Sequence, residues 1–188
     1  MEGKYSTALS HLVLAGTGAY CLKSVYGGDL KFSHGCFGII IVNNLLGLWT
    51  NGNPRYGDSV YKIFRITREM QDLFVLPFVT TTLWLNYSYR WEYSYAHAIA
   101  PVFPFITFLV DKKAYELTNL ILTCSLASMT VISFLHDNYY GLVASVSYMF
   151  DYFLKKEDNE TFLDIPTQDL SNYIMCFFAY FSLHAMLD

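Results

Sequence analysis

The sequence predicts an all-α fold, a polytopic transmembrane helical bundle, from its composition, its apolar segments and the distribution of its basic residues. Residues of the set AVILMFWYC make up 54% of the 188 residues, and charged residues make up only 15%. A soluble domain usually carries about a quarter charged residues. The mean hydropathy is +0.29. The length suits one transmembrane domain over residues 1–188. With a net charge of −4 and no basic tail or stripe, nothing indicates a nucleic-acid partner.

Seven apolar segments are long enough, or almost long enough, to cross a membrane as helices. A helix needs about 20 residues to cross a hydrocarbon core of ~30 Å, and about 17 is the practical minimum. Because 34–50 and 138–154 are short and could be re-entrant, we expect about seven spans, within a range of six to eight. The predicted spans are 7–27, 34–50, 71–88, 93–110, 114–135, 138–154 and 170–187.

The basic residues predict the orientation of the bundle. If the seven spans cross, nine of the twelve Lys and Arg residues lie on the side of the N-terminus. The loops are short, so the positive-inside rule predicts a cytoplasmic N-terminus and, after an odd number of spans, a lumenal or extracellular C-terminus. Segment 7–27 follows a lysine but has no small-x-small cleavage site, and no Arg-rich transit peptide is present. These features favour the endoplasmic reticulum or another secretory-pathway membrane and leave the mitochondrial inner membrane open.

Two polar intervals separate the predicted spans. The interval 51–70 is predicted to be a basic cytoplasmic loop or a short amphipathic helix on the anionic leaflet, or else the solvated start of the third span. Its apolar face would carry Val60 and Phe64, and its basic residues are Arg55, Lys62, Arg65 and Arg68. The interval 155–169 is predicted to be a second cytoplasmic loop.

Asp151 is the most informative side chain, because it lies in an apolar stretch one turn from the predicted cytoplasmic end of span six. An acid at a helix centre costs about 2.5–3.5 kcal/mol on insertion scales, and less near an interface. The functional interpretation is a proton, ion or catalytic site. The structural interpretation is an acid that snorkels toward Lys155, its i+4 neighbour on the same helix face.

Prolines predict interruptions in spans three and four. Pro77 lies in the third span, and Pro101 and Pro104 lie in the fourth, close to His97. Each proline lacks a backbone N–H and frees a carbonyl in the preceding turn. Interrupted helices at membrane depth can line a substrate or ion cavity. Asn119 of the fifth span could line the same cavity or hydrogen-bond across helices.

The sequence predicts neither a cofactor nor a metal site. The four cysteines have no CxxC spacing, and no two of the five histidines lie three or four residues apart. There is also no GxSxG, HExxH or phosphate-loop motif.

Three functions remain open. The leading one is a non-enzymatic subunit, or an interaction and lipid-contact protein, whose partners are membrane lipids and other membrane proteins. The first alternative is a membrane-embedded hydrolase of lipid-like substrates, in which Asp151 acts as acid or base with His97 as its partner. The second is a small carrier or proton-coupled transporter with its site at the proline-broken spans. The hydrolase requires Asp151 and His97 to converge within hydrogen-bond reach.

Overall fold

The computed structural model of the chain is all-helical apart from one short hairpin. It describes residues 2–28, 31–53, 57–110, 115–156, 161–162 and 164–188. The helices are α1 (Glu2–Val25), α2 (Lys31–Gly52), α3 (Gly57–Asn86), α4 (Trp91–Ile99), α5 (Val102–Leu109), α6 (Tyr115–Leu135), α7 (Tyr139–Lys156) and α8 (Thr167–Leu187). The antiparallel hairpin pairs β1 (Thr161–Phe162) with β2 (Ile165–Pro166) just before α8.

Six long helices form a closed ring around the core. Going round it, α1 packs on α2, α2 on α3, α3 on α6, α6 on α7, α7 on α8, and α8 on α1. Helix α3 also reaches α8 through the centre, while α4 and α5 pack on the outside of α3. The largest fully buried side chains at the centre include Phe37, Ile40, Leu76, Met129 and Phe178.

The bundle has two distinct ends. At one end Ser6 of α1 donates to Asp169 of α8 at 2.6 Å, so both helices begin there. We call this the basic end, because the first turns of α3 carry Lys62, Arg65 and Arg68 there and the last turn of α7 carries Lys155. At the other end, the aromatic end, the Asn86 side chain of α3 donates to the Met186 carbonyl of α8 at 2.8 Å. Helices α3 and α6 run in the same direction, since Thr80 donates to the Ser125 carbonyl and Trp84 donates to Ser128, and α4 and α5 together form the return between them.

Within the described residues, three helices are long and apolar enough to cross a membrane by length and composition: Phe32–Gly52, Glu116–Leu135 and Thr167–Leu187. The seven-span prediction is therefore supported at three of its spans. Other long helices carry polar side chains that the bundle buries, which lowers their hydropathy although those side chains face other helices. Examples are His11 in α1, Gln71 in α3 and Asp151 in α7.

The proline prediction is right for the fourth span and wrong for the third. Helices α4 and α5 are separated by a turn at Ala100 and Pro101. Pro104 lies in the first turn of α5, where a missing N–H removes no intrahelical bond. Pro77, by contrast, lies inside α3, which runs unbroken over 30 residues. A single proline removes one helical hydrogen bond, and buried packing on both sides, at Leu76 and Val79, keeps α3 continuous.

Both polar intervals are shorter than predicted. Residues 57–70 form the first turns of α3, so the basic segment is the start of that helix rather than a separate loop or helix. Hydropathy alone does not distinguish a solvated helical turn from a loop. As predicted for a helix, Phe64 is buried, and Lys62, Arg65 and Arg68 are exposed. Likewise, the first residues of the interval 155–169 belong to α7, and its last residues belong to α8. Arg55 lies outside the described residues.

Candidate functional site

Three helices meet near the basic end through a set of charged and hydroxyl side chains. Lys155 of α7 lies between two carboxylates, with its Nζ atom 2.7 Å from Asp72 Oδ1 of α3 and 2.8 Å from Asp151 Oδ2 of its own helix. Ser171 of α8 donates to Asp151 Oδ1 at 2.5 Å. The Tyr148 hydroxyl of α7 donates to the main-chain carbonyl of Asp72 at 3.1 Å. We call these five residues the charged cluster.

Burial differs strongly between the two carboxylates of the cluster. The Asp151 side chain is 2% exposed, whereas that of Asp72 is 33% exposed. The predicted pairing of Asp151 with Lys155 is therefore correct, but the predicted wet interface around Asp151 is not. Position 151 faces α8, where Ser171 replaces water as the hydrogen-bond donor.

The protonation of Lys155 follows from the same geometry. Lys155 lies one residue beyond the predicted span 138–154. Burial by itself lowers the pKa of Lys155, but the carboxylates of Asp151 and Asp72 outweigh burial and raise that pKa above its ordinary value. The side chain is therefore an ammonium, and the charged cluster holds one cation for two carboxylates.

This arrangement restricts what Asp151 can do as an acid or base. One of its oxygens accepts the Ser171 hydroxyl and the other is bound by Lys155. A general base must be within hydrogen-bond reach of the proton that it abstracts. A substrate would have to approach a carboxylate that is 2% exposed and already bound through both oxygens.

His97, the predicted partner of Asp151, lies in a different network. The Trp84 N–H donates to Ser128 Oγ at 2.9 Å, and the same oxygen lies 3.0 Å from His97 Nε2. An indole N–H can only donate, so Ser128 Oγ accepts from Trp84, and the direction of its hydrogen bond with His97 is set by the tautomer of the imidazole. His97 is thus bound to α6 and the end of α3, whereas Asp151 is bound to α8. The structure does not bring the two predicted catalytic residues together.

The predicted cavity-lining residues are also dispersed. Pro77, Pro101 and Pro104 are buried, in α3 and around the break between α4 and α5. Asn119 is exposed on α6 and does not face the bundle interior, which corrects its assignment to an internal cavity. Its position on the outward face of α6 follows from the packing of that helix on α3 and α7.

A second buried network joins α1, α2 and α3 through the adjacent Asn43 and Asn44, a pair of the kind that hydrogen-bonds across membrane helices. Gln71 Oε1 accepts from the side-chain amides of both Asn43 and Asn44 at 2.9 Å. Thr67 donates to Asn43 Oδ1 at 3.0 Å. His11 Nδ1 lies 2.7 Å from Asn44 Oδ1. We call His11, Asn43, Asn44, Thr67 and Gln71 the amide cluster. The adjacent asparagines were the only local signal for it.

The hydrogen bonds of the amide cluster determine the tautomer of His11. The Asn44 amide nitrogen donates to the Ile40 carbonyl and to Gln71, so its oxygen must accept from His11. His11 therefore carries its proton on Nδ1. Nε2 is then a buried acceptor for which the described residues provide no hydrogen-bond partner.

A third buried network surrounds the start of α8. Asp169, which is 1% exposed, accepts hydroxyl hydrogens from Ser6 at 2.6 Å and from Ser10 at 3.2 Å. Asn172 donates to Ser10 Oγ at 2.9 Å. Because Asp169 lies in the first turn of α8, the helix dipole also favours its negative charge. These contacts join α1 to α8 at the basic end.

Comparison with protein-family models, with curated proteins and with solved structures finds no match to this chain. Within the described residues, no three His, Cys, Asp or Glu side chains are grouped so that they could hold a metal ion. The function therefore has to be inferred from the residues and their geometry.

Proposed function

We propose that this chain is a non-enzymatic, multi-pass membrane protein that acts through contacts of its outer surface with lipids and with another membrane protein. The supporting observation is the outward face of α6. Of the three helices that could cross a membrane, α6 is the least buried by the rest of the chain. Its exposed face is not uniformly apolar.

Small and polar residues lie in line along this face. Asn119, Thr123, Ala127 and Thr130 are all exposed, and their spacing puts them on one side of the helix. Between membrane helices, small residues permit close approach and polar side chains hydrogen-bond across the contact. A lipid tail offers neither a hydrogen bond nor this fit. The α6 face therefore suits a helix of another membrane protein better than it suits lipid.

The interior of the bundle supports a non-enzymatic role. The polar side chains of the charged and amide clusters bind one another across helix contacts, and both Asp151 oxygens are already bound, one by Ser171 and the other by Lys155. The hydrolase alternative also lacks the convergence of Asp151 with His97. For the carrier alternative, Pro101 does break the fourth span, but Asn119 faces outward.

The same proposal includes seven spans, with α4 and α5 together forming the fourth, and a cytoplasmic basic end. Helix α3 has 30 residues, which at 1.5 Å each gives about 45 Å, more than a hydrocarbon core of ~30 Å. The excess would place Lys62, Arg65 and Arg68 beyond the core, where the positive-inside rule puts them on the cytoplasmic side. A secretory-pathway membrane is the compartment we propose.

Cys124 provides a direct test of the α6 contact, because it is exposed on α6 next to the aligned residues, whereas the other three cysteines are buried or half-buried. Treatment of intact membranes with a short bismaleimide should give a crosslinked species from Cys124. Ala127→Leu should abolish that species by blocking close approach. Two differently tagged copies will tell whether the partner is a second copy.

The control places the thiol on another outward face. Val146 of α7 is 47% exposed, so Cys124→Ser combined with Val146→Cys presents an equally accessible thiol to lipid. No discrete crosslinked species should form from it. Equal crosslinking from positions 124 and 146, or none from Cys124, would refute a specific contact on α6.

A further inference from the structure

The charged cluster connects α3 and α7, two helices that are not packed directly on each other. Helix α3 packs on α6 and α8, and α7 packs on the same two helices. Helices α3 and α7 are therefore diagonal partners of a four-helix unit. Near the basic end they are joined by side chains from α7 to Asp72, through the Lys155 ammonium and the Tyr148 hydroxyl.

The two carboxylates around Lys155 are not equivalent. Asp72 belongs to α3 and is 33% exposed, so water can solvate it if Lys155 leaves. Asp151 belongs to the same helix as Lys155 and is 2% exposed. A buried carboxylate without its cation is strongly disfavoured. Lys155 can therefore release Asp72 while remaining paired, but it cannot release Asp151 without leaving a buried charge unpaired.

We propose that Lys155 is a releasable bridge that closes the basic end of the four-helix unit. In the closed state the ammonium joins α7 to Asp72. In the open state it stays with Asp151, and the ends of α3 and α7 separate. Asp151 is thus a second partner that lowers the free energy needed for opening, since no buried charge is unpaired in either state. Ser171 keeps Asp151 attached to α8 throughout.

This proposal predicts opposite effects for two isosteric substitutions. Asp72→Asn removes the partner used only in the closed state, so it should increase opening. Asp151→Asn removes the partner needed in the open state and leaves the Lys155–Asp72 pair in place, so it should decrease opening. A purely structural ion-pair network predicts the same sign for both substitutions, because each removes one stabilising contact.

Hydrogen exchange of the full chain in lipid nanodiscs measures this opening at the last turns of α7 and at the turns of α3 around Asp72. We expect Asp72→Asn to speed exchange there about tenfold, which corresponds to ~1.4 kcal/mol. Asp151→Asn should exchange more slowly than the parent. The middle of α2 should be unchanged in both variants.

Two further variants act as controls. Glu116→Gln removes the same charge from an exposed site on α6 and should exchange like the parent. Asp72→Glu keeps a carboxylate for Lys155 and should also exchange like the parent. Exchange in Asp151→Asn as fast as the parent or faster, failure of that variant to accumulate, or no acceleration in Asp72→Asn would each overturn the proposal.

Discussion

Gly47 of α2 provides the sharpest test of the amide cluster, because the imidazole of His11 lies directly against it. A Cβ atom at position 47 would lie 2.5 to 2.7 Å from three ring atoms of His11. These separations are well below van der Waals contact. Gly47→Ala must therefore displace the ring and disrupt the 2.7 Å hydrogen bond from His11 to Asn44.

The expected change in stability can be worked out from three contributions. Overpacking a core costs about 1–3 kcal/mol, and a hydrogen bond between membrane helices contributes ~0.6 kcal/mol on average. Alanine regains ~1 kcal/mol of helix propensity relative to glycine. The net destabilisation is about 0.6–2.6 kcal/mol. For a chain of this length, each kcal/mol lowers the melting temperature by roughly 2–4 °C.

Thermal unfolding in nanodiscs, followed by tryptophan fluorescence, would measure this change. Gly16→Ala on α1 is the matched control, because no atom lies within 4 Å of its added Cβ, and it should stabilise by roughly 0.5–1 kcal/mol. In a His11→Ala background the clash is absent, so adding Gly47→Ala there should cause no further loss of stability. A melting temperature of Gly47→Ala equal to or above that of the parent would refute the placement of the His11 ring.

Three other predictions concern the membrane and the aromatic end. Alkaline carbonate extraction should leave the protein in the membrane pellet, and its recovery in the soluble fraction would contradict a membrane assignment. Ser128→Ala removes the acceptor of the Trp84 N–H and should cost ~1 kcal/mol in thermal unfolding, whereas Thr130→Ala on the exposed face of α6 should have little effect. Asn86 begins a glycosylation sequon, but its amide already donates to the Met186 carbonyl. We expect no glycan there, so a mobility shift on endoglycosidase treatment would count against this packing.

Most helix ends could be predicted from the sequence to within a few residues, except that α3 begins at Gly57 rather than at 71 and the segment 93–110 forms two helices, α4 and α5. The predicted span 138–154 corresponds to α7 (Tyr139–Lys156), and 170–187 to α8 (Thr167–Leu187). Apolar runs end close to the helix ends because both are limited by the same polar turns. The interval 51–70 was predicted less well, because a solvated helical start has the same composition as a loop.

The candidate site could be predicted only in part. The pair Asp151–Lys155 follows from i+4 spacing within one helix. Asp72 and Ser171 come from two other helices, and no local pattern indicates that they meet Asp151. The same holds for Asn44, which reaches His11 across α1 and α2. Contacts between distant segments depend on how the helices pack, which hydropathy does not specify.

The packing of α1 and α7 against α8 bears on how many helices cross the membrane. Helix α8 is apolar enough to cross by itself. Helix α1 follows it from Ser6 beside Asp169 at the basic end to Cys21, whose thiol lies 3.6 Å from the Ala179 carbonyl. Helix α7 follows it from Asp151 beside Ser171 to Asn138, just before α7, which donates to the Ala185 carbonyl. Because α1 and α7 lie beside α8 along its length, they would lie at the same depth in a membrane as α8. The polar side chains that lower the hydropathy of α1 and α7 point toward the bundle interior. With the three helices that hydropathy identifies, α1 and α7 would account for five of the seven spans proposed above.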